Sequence, residues 1–207
     1  MDRNRRVAVI VVAVVVALVA IAAIADAATS NEGDKALILG DSITAITGKD
    51  LAKDLEPAYD VTLRAKFGAT VQEMMPYAKE AAAQNPDQVI IDLGSNDALK
   101  QVPIQETSAQ LREMVGLYPK AECIHLVNIN TKMMHGNQSR TKEAQAINKV
   151  IDDLAASDSR ISIIDWDGKV SDDLVDDTVH PNKKGQEVLA QMMDDALGRC
   201  GRPWKFW

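Results

Sequence analysis

Aromatic residues, histidine, cysteine and basic clusters are all scarce in this chain of 207 residues. Aromatic side chains occupy only 4% of the positions, so aliphatic residues and methionine have to form the core. The net charge is −7 and no basic cluster follows the first six residues, so we expect no nucleic-acid partner. No spacing among the three histidines and two cysteines is typical of a metal site, and we expect neither a metal nor another cofactor.

One long apolar run lies near the start of the chain. Residues 7–25 are all apolar, with three arginines just before them and Asp26 after them. This length can span a bilayer with the arginines on the inner side, whereas Ala25-Asp26-Ala27 is typical of a signal-peptide cleavage site. Residues 1–28 are therefore either a cleaved signal peptide or a retained membrane anchor. Both interpretations predict export, either secreted or on the outer face of the plasma membrane.

Strands and helices alternate after a polar linker over residues 29–34. Helical segments separate five short apolar segments and a last helix closes the series, an order typical of βαβ units and a parallel sheet. The sequence therefore predicts an α/β domain over residues 35–198, a three-layer α/β/α sandwich with five parallel strands. The predicted strands are Lys35–Leu39, Tyr59–Ala65, Gln88–Leu93, Glu122–Val127 and Ile161–Ile164, and the closing helix is Lys184–Leu197.

Candidate chemical residues follow the carboxyl ends of these strands, where ligands bind in open α/β sheets. Ser42 ends the run Leu39-Gly40-Asp41-Ser42 after the first strand. Gly68 follows the second strand and Asn96 the third, and the segment from Asp177 to His180 follows the fifth. We therefore expect these residues to meet at one edge of the sheet.

The residue types at this edge are those of a serine hydrolase. A serine hydroxyl is a weak nucleophile at neutral pH and needs a base that is already oriented. His180 has a carboxylate three residues before it, at Asp177, and Pro181 after it restricts its backbone and can start the last helix. A nucleophile at Ser42 would also lie at a helix N-terminus, whose amides stabilise a developing oxyanion.

Each candidate also has a structural interpretation. Ser42 can cap the following helix, Gly68 can relieve a tight turn, and Asn96 can close an Asx-turn. Asp41 is expected to be a structural turn residue. Asp177 lies among other aspartates, so it can simply belong to a solvent-exposed acidic loop.

The two other histidines are not candidates for the base. His125 lies inside the fourth predicted strand, where a packed core position is expected. His135 lies in a loop and has no neighbouring carboxylate, so at most it lines a pocket.

The four blocks together resemble the SGNH (GDSL) hydrolase superfamily. They are Gly40-Asp41-Ser42, Gly68, Gly94-Ser95-Asn96-Asp97 and Asp177-Thr178-Val179-His180, in the family's order. The resemblance covers about residues 35–197 and implies a flavodoxin-like sheet with metal-free esterase, lipase, deacetylase or acyltransferase activity.

The resemblance also implies roles for individual residues. Ser42 would be the nucleophile, His180 the base and Asp177 the residue that orients it. The backbone amides of Ser42 and Gly68 and the side chain of Asn96 would form the oxyanion hole. Asp165-Trp166 and the segment 128–148 resemble a branch that includes extracellular cell-wall O-acetyltransferases.

Three functions are compatible with these residues. The first is a serine esterase that hydrolyses a short, acetyl-like ester on a carbohydrate or other polar carrier. The second is an O-acyltransferase that moves the acyl group to a cell-wall glycan, and the third is a non-catalytic glycan- or lipid-binding module. A short acyl group is favoured because the loop over residues 128–135 is mostly polar and few aromatics exist to line a long groove, although Met133 and Met134 could line an apolar pocket.

The ends of the predicted domain give two further expectations. Cys123 begins the fourth strand and Cys200 follows the closing helix, so both should lie at the sheet edge opposite Ser42 and form a disulfide. The tail over residues 199–207 combines aromatic and basic residues, which suits either a membrane or cell-wall surface or packing on the domain.

Overall fold

The computed structural model describes residues 34–55 and 58–201. The apolar run and most of the linker lie outside the described residues, as do residues 202–207 of the tail. Within the described ranges, no helix combines the length and the apolar character that a membrane span requires. The proposed anchor or signal peptide therefore stays a prediction.

A five-stranded parallel sheet forms the centre of the domain, as predicted. The strands are β1 (Asp34–Gly40), β2 (Tyr59–Ala65), β3 (Gln88–Asp92), β4 (Cys123–Val127) and β7 (Ile161–Ile164), with a separate hairpin of β5 (Met134–His135) and β6 (Gln138–Ser139). Asp34, expected in the linker, is the first residue of β1. The strand order is β2-β1-β3-β4-β7, the flavodoxin-like arrangement, with parallel pairing at every step.

Helices cover both faces of the sheet. The helices are α1 (Ser42–Leu55), α2 (Val71–Ala82), α3 (Ser95–Lys100), α4 (Ile104–Gly116), α5 (Thr141–Ser157), α6 (Trp166–Lys169) and α7 (Lys183–Leu197), with a short 3₁₀ helix at Asp172–Leu174. Helices α1 and α7 pack together, whereas α2, α4 and α5 form a second packed series, as right-handed crossovers require. The central strands β1 and β3 are almost wholly buried because they have helices on both sides.

The closing helix α7 begins at Lys183, one residue before its predicted start. Pro181 does not begin this helix; Asn182 caps it, and the Asn182 side chain accepts a hydrogen bond from the Gly185 amide at 3.0 Å. Asparagine supplies an acceptor for an unpaired amide of the first turn, which proline lacks. Pro181 instead pairs with Val175 in an isolated antiparallel bridge.

Two other predictions, the disulfide and the buried position of His125, are confirmed on the side of the sheet away from Ser42. Cys123 and Cys200 form a disulfide with their Cα atoms 5.9 Å apart. His125 is buried on β4, where its ring bonds Ser162 Oγ at 2.7 Å and Gln88 Oε1 at 3.4 Å. Burial, reinforced by the positive charge of Arg199, lowers the pKa of His125 to about 4, so the core holds a neutral imidazole.

Candidate active site

Ser42 lies at the turn between β1 and α1. The turn is tight: a Cβ atom on Gly40 would stand 1.8 Å from the Thr44 hydroxyl, so only glycine fits there. Ser42 is the first residue of α1 and is only 5% exposed. Its backbone amide has no acceptor within the described part of the chain and belongs to the first turn of a helix, where unpaired N–H groups can receive an anion.

His180 and Asp177 complete a hydrogen-bonded chain that begins at Ser42. The Ser42 Oγ lies 3.0 Å from His180 Nε2, and His180 Nδ1 lies 2.9 Å from Asp177 Oδ2. A carboxylate beside Nδ1 favours the tautomer with its proton there, which leaves Nε2 free to accept the serine proton. The three side chains predicted to act together are therefore in contact.

Asp177 is held as an acceptor by groups close to it in sequence. Its Oδ1 accepts the backbone amides of Val179 and His180, both at 2.7 Å. Partial burial opposes ionisation, but the hydrogen bonds from the His180 side chain and from these two amides outweigh it and lower the pKa of Asp177. Asp177 is therefore ionised at neutral pH, and its carboxylate can accept a hydrogen bond from His180.

The loop after β4 supports the segment that carries His180. Asn130 Nδ2 donates to the Thr178 carbonyl at 2.9 Å, and the Met134 amide donates to the Thr178 hydroxyl at 2.9 Å. The loop therefore lies against the segment that joins Asp177 to His180. Met133 is fully buried in the core and does not line the site, whereas Met134 is partly exposed at its edge.

Gly68 lies in a turn that is joined to the nucleophile turn. The Ala69 amide bonds the Lys66 carbonyl at 3.2 Å, and Gly68 has a φ of 70°, as at the third position of a type II turn. The Lys66 amide reaches the Gly40 carbonyl at 3.2 Å, and Lys100 Nζ bonds the Gly68 carbonyl at 2.7 Å. The Gly68 amide has no acceptor among the residues described, so it is available to a ligand.

Asn96 is the second residue of the helix after β3, and its side chain points to Asp41, the residue before Ser42. Its Nδ2 donates to Asp41 Oδ2 at 2.8 Å, and Asp41 Oδ1 accepts the Ile43 amide at 2.9 Å. Asp41 takes only one of the two Asn96 amide hydrogens, which leaves the other for an oxyanion. Asp41 therefore does more than form the expected turn. Because its carboxyl group accepts from Nδ2, the NH₂ end of the Asn96 side chain points toward Asp41 and the carbonyl end points away.

Three buried carboxyl groups lie beneath this side of the site. Burial, together with the negative charge of Asp92, raises the pKa of Asp41 to about 8, although hydrogen bonds from Ile43 and Asn96 oppose the shift. Burial also raises the pKa of Asp92 to about 6 against a hydrogen bond from Thr44, and it raises the pKa of Asp97. Buried like charges cannot all ionise cheaply, so these carboxyl groups together resist full ionisation.

An open groove of about 610 Å³ runs beside Asp177. Its lining is mixed: three aspartates and a threonine lie beside two valines, a glycine and Met134, which is its longest apolar side chain. The groove has the volume of a small-ligand site, and it has no apolar enclosure for a long chain. Its lining residues are Met134, Gly136, Asp172, Val175, Asp176, Asp177, Thr178 and Val179.

Solved structures of several esterases and of an acyltransferase share this fold. An acetylxylan esterase from Geobacillus stearothermophilus superimposes with a TM-score of 0.66 at 20% identity, over 81% of this chain and 95% of that one. A psychrotrophic esterase from Pseudoalteromonas inhibited by monoethylphosphonate gives 0.63 at 22% identity, over 80% and 97%. The C-terminal catalytic domain of peptidoglycan O-acetyltransferase A from Streptococcus pneumoniae gives 0.62 at 20% identity, over 81% and 94%.

Sequence comparison identifies the family. No curated protein sequence matches the chain. Residues 38–188 match the GDSL-like lipase/acylhydrolase family, and this range contains Ser42, Asn96, Asp177 and His180. This chain therefore belongs to the GDSL-like lipase/acylhydrolase family and is an enzyme that acts on ester bonds.

Proposed function

We propose that this enzyme removes a short, acetyl-like acyl group from a carbohydrate or other polar carrier through an acyl-serine intermediate. The observation that carries the proposal is the hydrogen-bonded chain of Ser42, His180 and Asp177, with its two contacts of 3.0 and 2.9 Å. A nucleophile, a base and an orienting carboxylate in this geometry have the parts that acyl transfer requires.

In the first half of the reaction, His180 Nε2 takes the Ser42 proton while Oγ attacks the ester carbonyl. The carbonyl oxygen becomes an oxyanion that the amides of Ser42 and Gly68 and the side chain of Asn96 stabilise. The bond to the carrier oxygen then breaks, and that oxygen leaves as an alcohol with the proton from His180. Asp177 stays ionised and stabilises the positive imidazolium throughout.

In the second half, water releases the acyl group from Ser42. His180 takes a proton from the water as its oxygen attacks the acyl-serine carbonyl, and the same three donors receive the oxyanion. The bond to Ser42 Oγ breaks, and Oγ recovers the proton from His180. The balance is one ester and one water converted to one acid and one alcohol.

The lining of the groove supports a short acyl group. A long acyl chain gains about 0.8 kcal/mol for each methylene only where that methylene is buried. The groove beside Asp177 is open and includes three aspartates in a mixed lining, and Met133, the side chain that could have extended an apolar surface, is in the core. Similar structures include enzymes whose names specify acetyl groups on xylan and on peptidoglycan.

The test is hydrolysis of p-nitrophenyl esters with two to sixteen acyl carbons by the protein that begins after residue 28 and by its Ser42→Ala variant. We expect kcat/KM to be highest for the two- to four-carbon esters and to vanish in the variant. A preference for eight or more carbons would contradict the short-acyl proposal. Stoichiometric phosphonate labelling of a serine other than Ser42 would contradict the proposed nucleophile.

Acyl transfer to a glycan is a second candidate. The open groove beside Asp177 has room for a second polar molecule, and an O-acetyltransferase domain shares the fold. Transfer and hydrolysis use the same catalytic residues and differ in whether a sugar hydroxyl or water attacks the acyl-serine. Incubation with an acetyl ester and a glycan acceptor, followed by measurement of acetylated glycan against free acetate, separates the two reactions.

We further propose that the domain is exported. The disulfide between Cys123 and Cys200 supports an oxidising compartment, and the apolar run over residues 7–25 supplies a targeting segment. N-terminal sequencing of the exported protein tests this proposal. A start near residue 28 would show cleavage, an intact N-terminus in the membrane fraction would show an anchor, and a protein found only in the cytoplasm would contradict export.

A further inference from the structure

Phe67 is the most exposed large apolar side chain of the described residues. It is 67% exposed, whereas Tyr77, the next, is 39% exposed. The chain contains only two phenylalanines, and most of its large apolar side chains are buried in the core. An aromatic ring in water gives up the stabilisation that burial would provide, so its position at this surface requires a reason.

Phe67 is the chain neighbour of a residue of the proposed oxyanion hole. Phe67 immediately precedes Gly68, and consecutive Cα atoms are about 3.8 Å apart. Both residues occupy the turn that follows β2, at the carboxyl edge of the sheet where Ser42 also lies. A carrier attached to an ester at Ser42 would therefore lie within reach of the Phe67 ring.

The turn that carries Phe67 is fixed before any ligand arrives. One bond closes it from Ala69 to Lys66, a second joins it to Gly40 at the nucleophile turn, and a third joins it to Lys100 through the Gly68 carbonyl. Lys100 also pairs with Glu73, whose carboxylate caps the next helix. A ring on a fixed backbone has only its own two torsions to order, so binding to it costs little entropy.

The surroundings of the ring suit a sugar better than an acyl chain. Nothing encloses Phe67, so it presents an open face, whereas an acyl chain needs apolar surface on several sides. Lys100 and Glu73, each close to half exposed, place a hydrogen-bond donor and an acceptor beside the turn. A sugar ring combines an apolar C–H face with hydroxyl groups at its rim, and it matches both features.

We propose that Phe67 is a specificity-determining residue that stacks against the sugar ring carrying the scissile ester. This inference rests on the proposed esterase function and adds to it the contact that selects a carbohydrate carrier. The acyl group would lie toward Ser42 and the sugar toward the turn that carries Phe67.

The experiment compares two acetyl esters, O-acetylated xylo-oligosaccharides and ethyl acetate, which share the acyl group and differ in whether the carrier has a ring that can stack. The quantity measured is kcat/KM for the oligosaccharide divided by kcat/KM for ethyl acetate. We expect Phe67→Ala to lower this ratio about tenfold, the scale of one aromatic stacking contact. Phe67→Trp should restore most of the ratio, and Phe67→Leu, which is apolar without a flat ring, should not.

Two controls make the result specific. Tyr77→Ala removes the other exposed large aromatic of the described residues, which lies on α2 and not in the turn, and should leave the ratio within twofold of the unmodified enzyme. Thermal unfolding of each variant checks that the fold is kept, and removal of an exposed ring should hardly change Tm.

Several outcomes would overturn the inference. A ratio unchanged in Phe67→Ala, or equal recovery with leucine and tryptophan, excludes stacking on the carrier. A loss that instead grows with acyl length along a series of p-nitrophenyl esters assigns Phe67 to the acyl side. Failure of the unmodified enzyme on both acetyl esters would overturn the proposed function itself, whereas an active enzyme with an unchanged ratio overturns only the role of Phe67.

Discussion

The two halves of the candidate active site, which hold the proposed nucleophile and the proposed base, differ sharply in burial. On the nucleophile side, Asp41, Ser42 and Asn96 are all at least nine-tenths buried. On the base side, the side chains of His180 and Asp177 are 40% and 58% exposed. The nucleophile half is part of the core edge, and the base half is a surface loop that lies against it.

The contacts that hold each half differ in the same way. Asp41 and Asn96 are 55 positions apart in sequence and meet only because β1 and β3 are neighbours in the sheet. Asp177 and His180 are three positions apart and keep their contact through the local backbone. The donors and the nucleophile therefore depend on the whole sheet, whereas the orientation of the base depends on one loop and its supports. Four predictions test this difference, in order of decreasing effect.

Removal of either central side chain should have the largest effect. We expect Ser42→Ala and His180→Ala each to lower kcat for acetyl-ester hydrolysis by a factor on the order of 10³ or more, because nucleophile and base act as one unit. The double variant should be no slower than the worse single variant, since the first loss already disables the other half. If kcat of the double variant instead falls by the product of the two single factors, the two halves act independently.

Loss of Asn96 should have the next effect. Asn96→Ala removes one oxyanion donor and should lower kcat by about 10²–10³, with little change in KM, because the oxyanion exists only in the transition state. Steady-state kinetics on p-nitrophenyl acetate measures the split. An increase in KM at constant kcat would instead assign Asn96 to ground-state binding.

The buried half should also govern how stability changes with pH. The pKa of Asp41 is raised from 3.8 to about 8, so folding favours its protonated form, and this contribution is lost as pH rises through about 8. His125 has a lowered pKa and acts in the opposite direction, with stability lost only as pH falls below its unfolded value of 6.5. Between pH 6.5 and 8 we therefore expect the free energy of unfolding to fall by about 2 kcal/mol.

Denaturant unfolding at several pH values measures this slope. The Asp41→Asn variant cannot titrate at this position and should show a clearly shallower profile over the same window, whatever its absolute stability. A slope that persists undiminished in Asp41→Asn would mean that another group causes it.

Weakening the support of the exposed half should have the smallest effect. Asn130→Ala removes the hydrogen bond to the Thr178 carbonyl, worth about 1 kcal/mol, and should lower kcat about fivefold by loosening the loop that carries His180. Asn128→Ala is the matched control, because Asn128 bonds Asp165 and Asp167 and no residue of that loop. Equal kinetic losses in both variants would show a general effect on the fold.

Much of the fold follows from local patterns. The apolar segments after residue 34 predict the five strands to within about one residue at each end, because a strand buried on both faces is a short apolar run between turn residues. The Asp177 to His180 pair is also predictable, since a spacing of three lets one carboxylate reach both the ring and the backbone amide. The sequence does not predict the β5–β6 hairpin or the short helices α3 and α6, which are too brief to show a periodicity.

The sequence by itself determined the parallel sheet, the edge at which the site forms, and the identity of the nucleophile and base candidates. Only the tertiary structure decided how Asn96 is oriented, that burial raises the pKa of Asp41, that Asn130 supports Thr178, and that Phe67 stays in water. The physical reason is how far apart in the sequence the contacting residues lie. Periodicity and spacing describe contacts a few residues apart, whereas burial and side-chain pairing across tens of residues depend on how the elements pack.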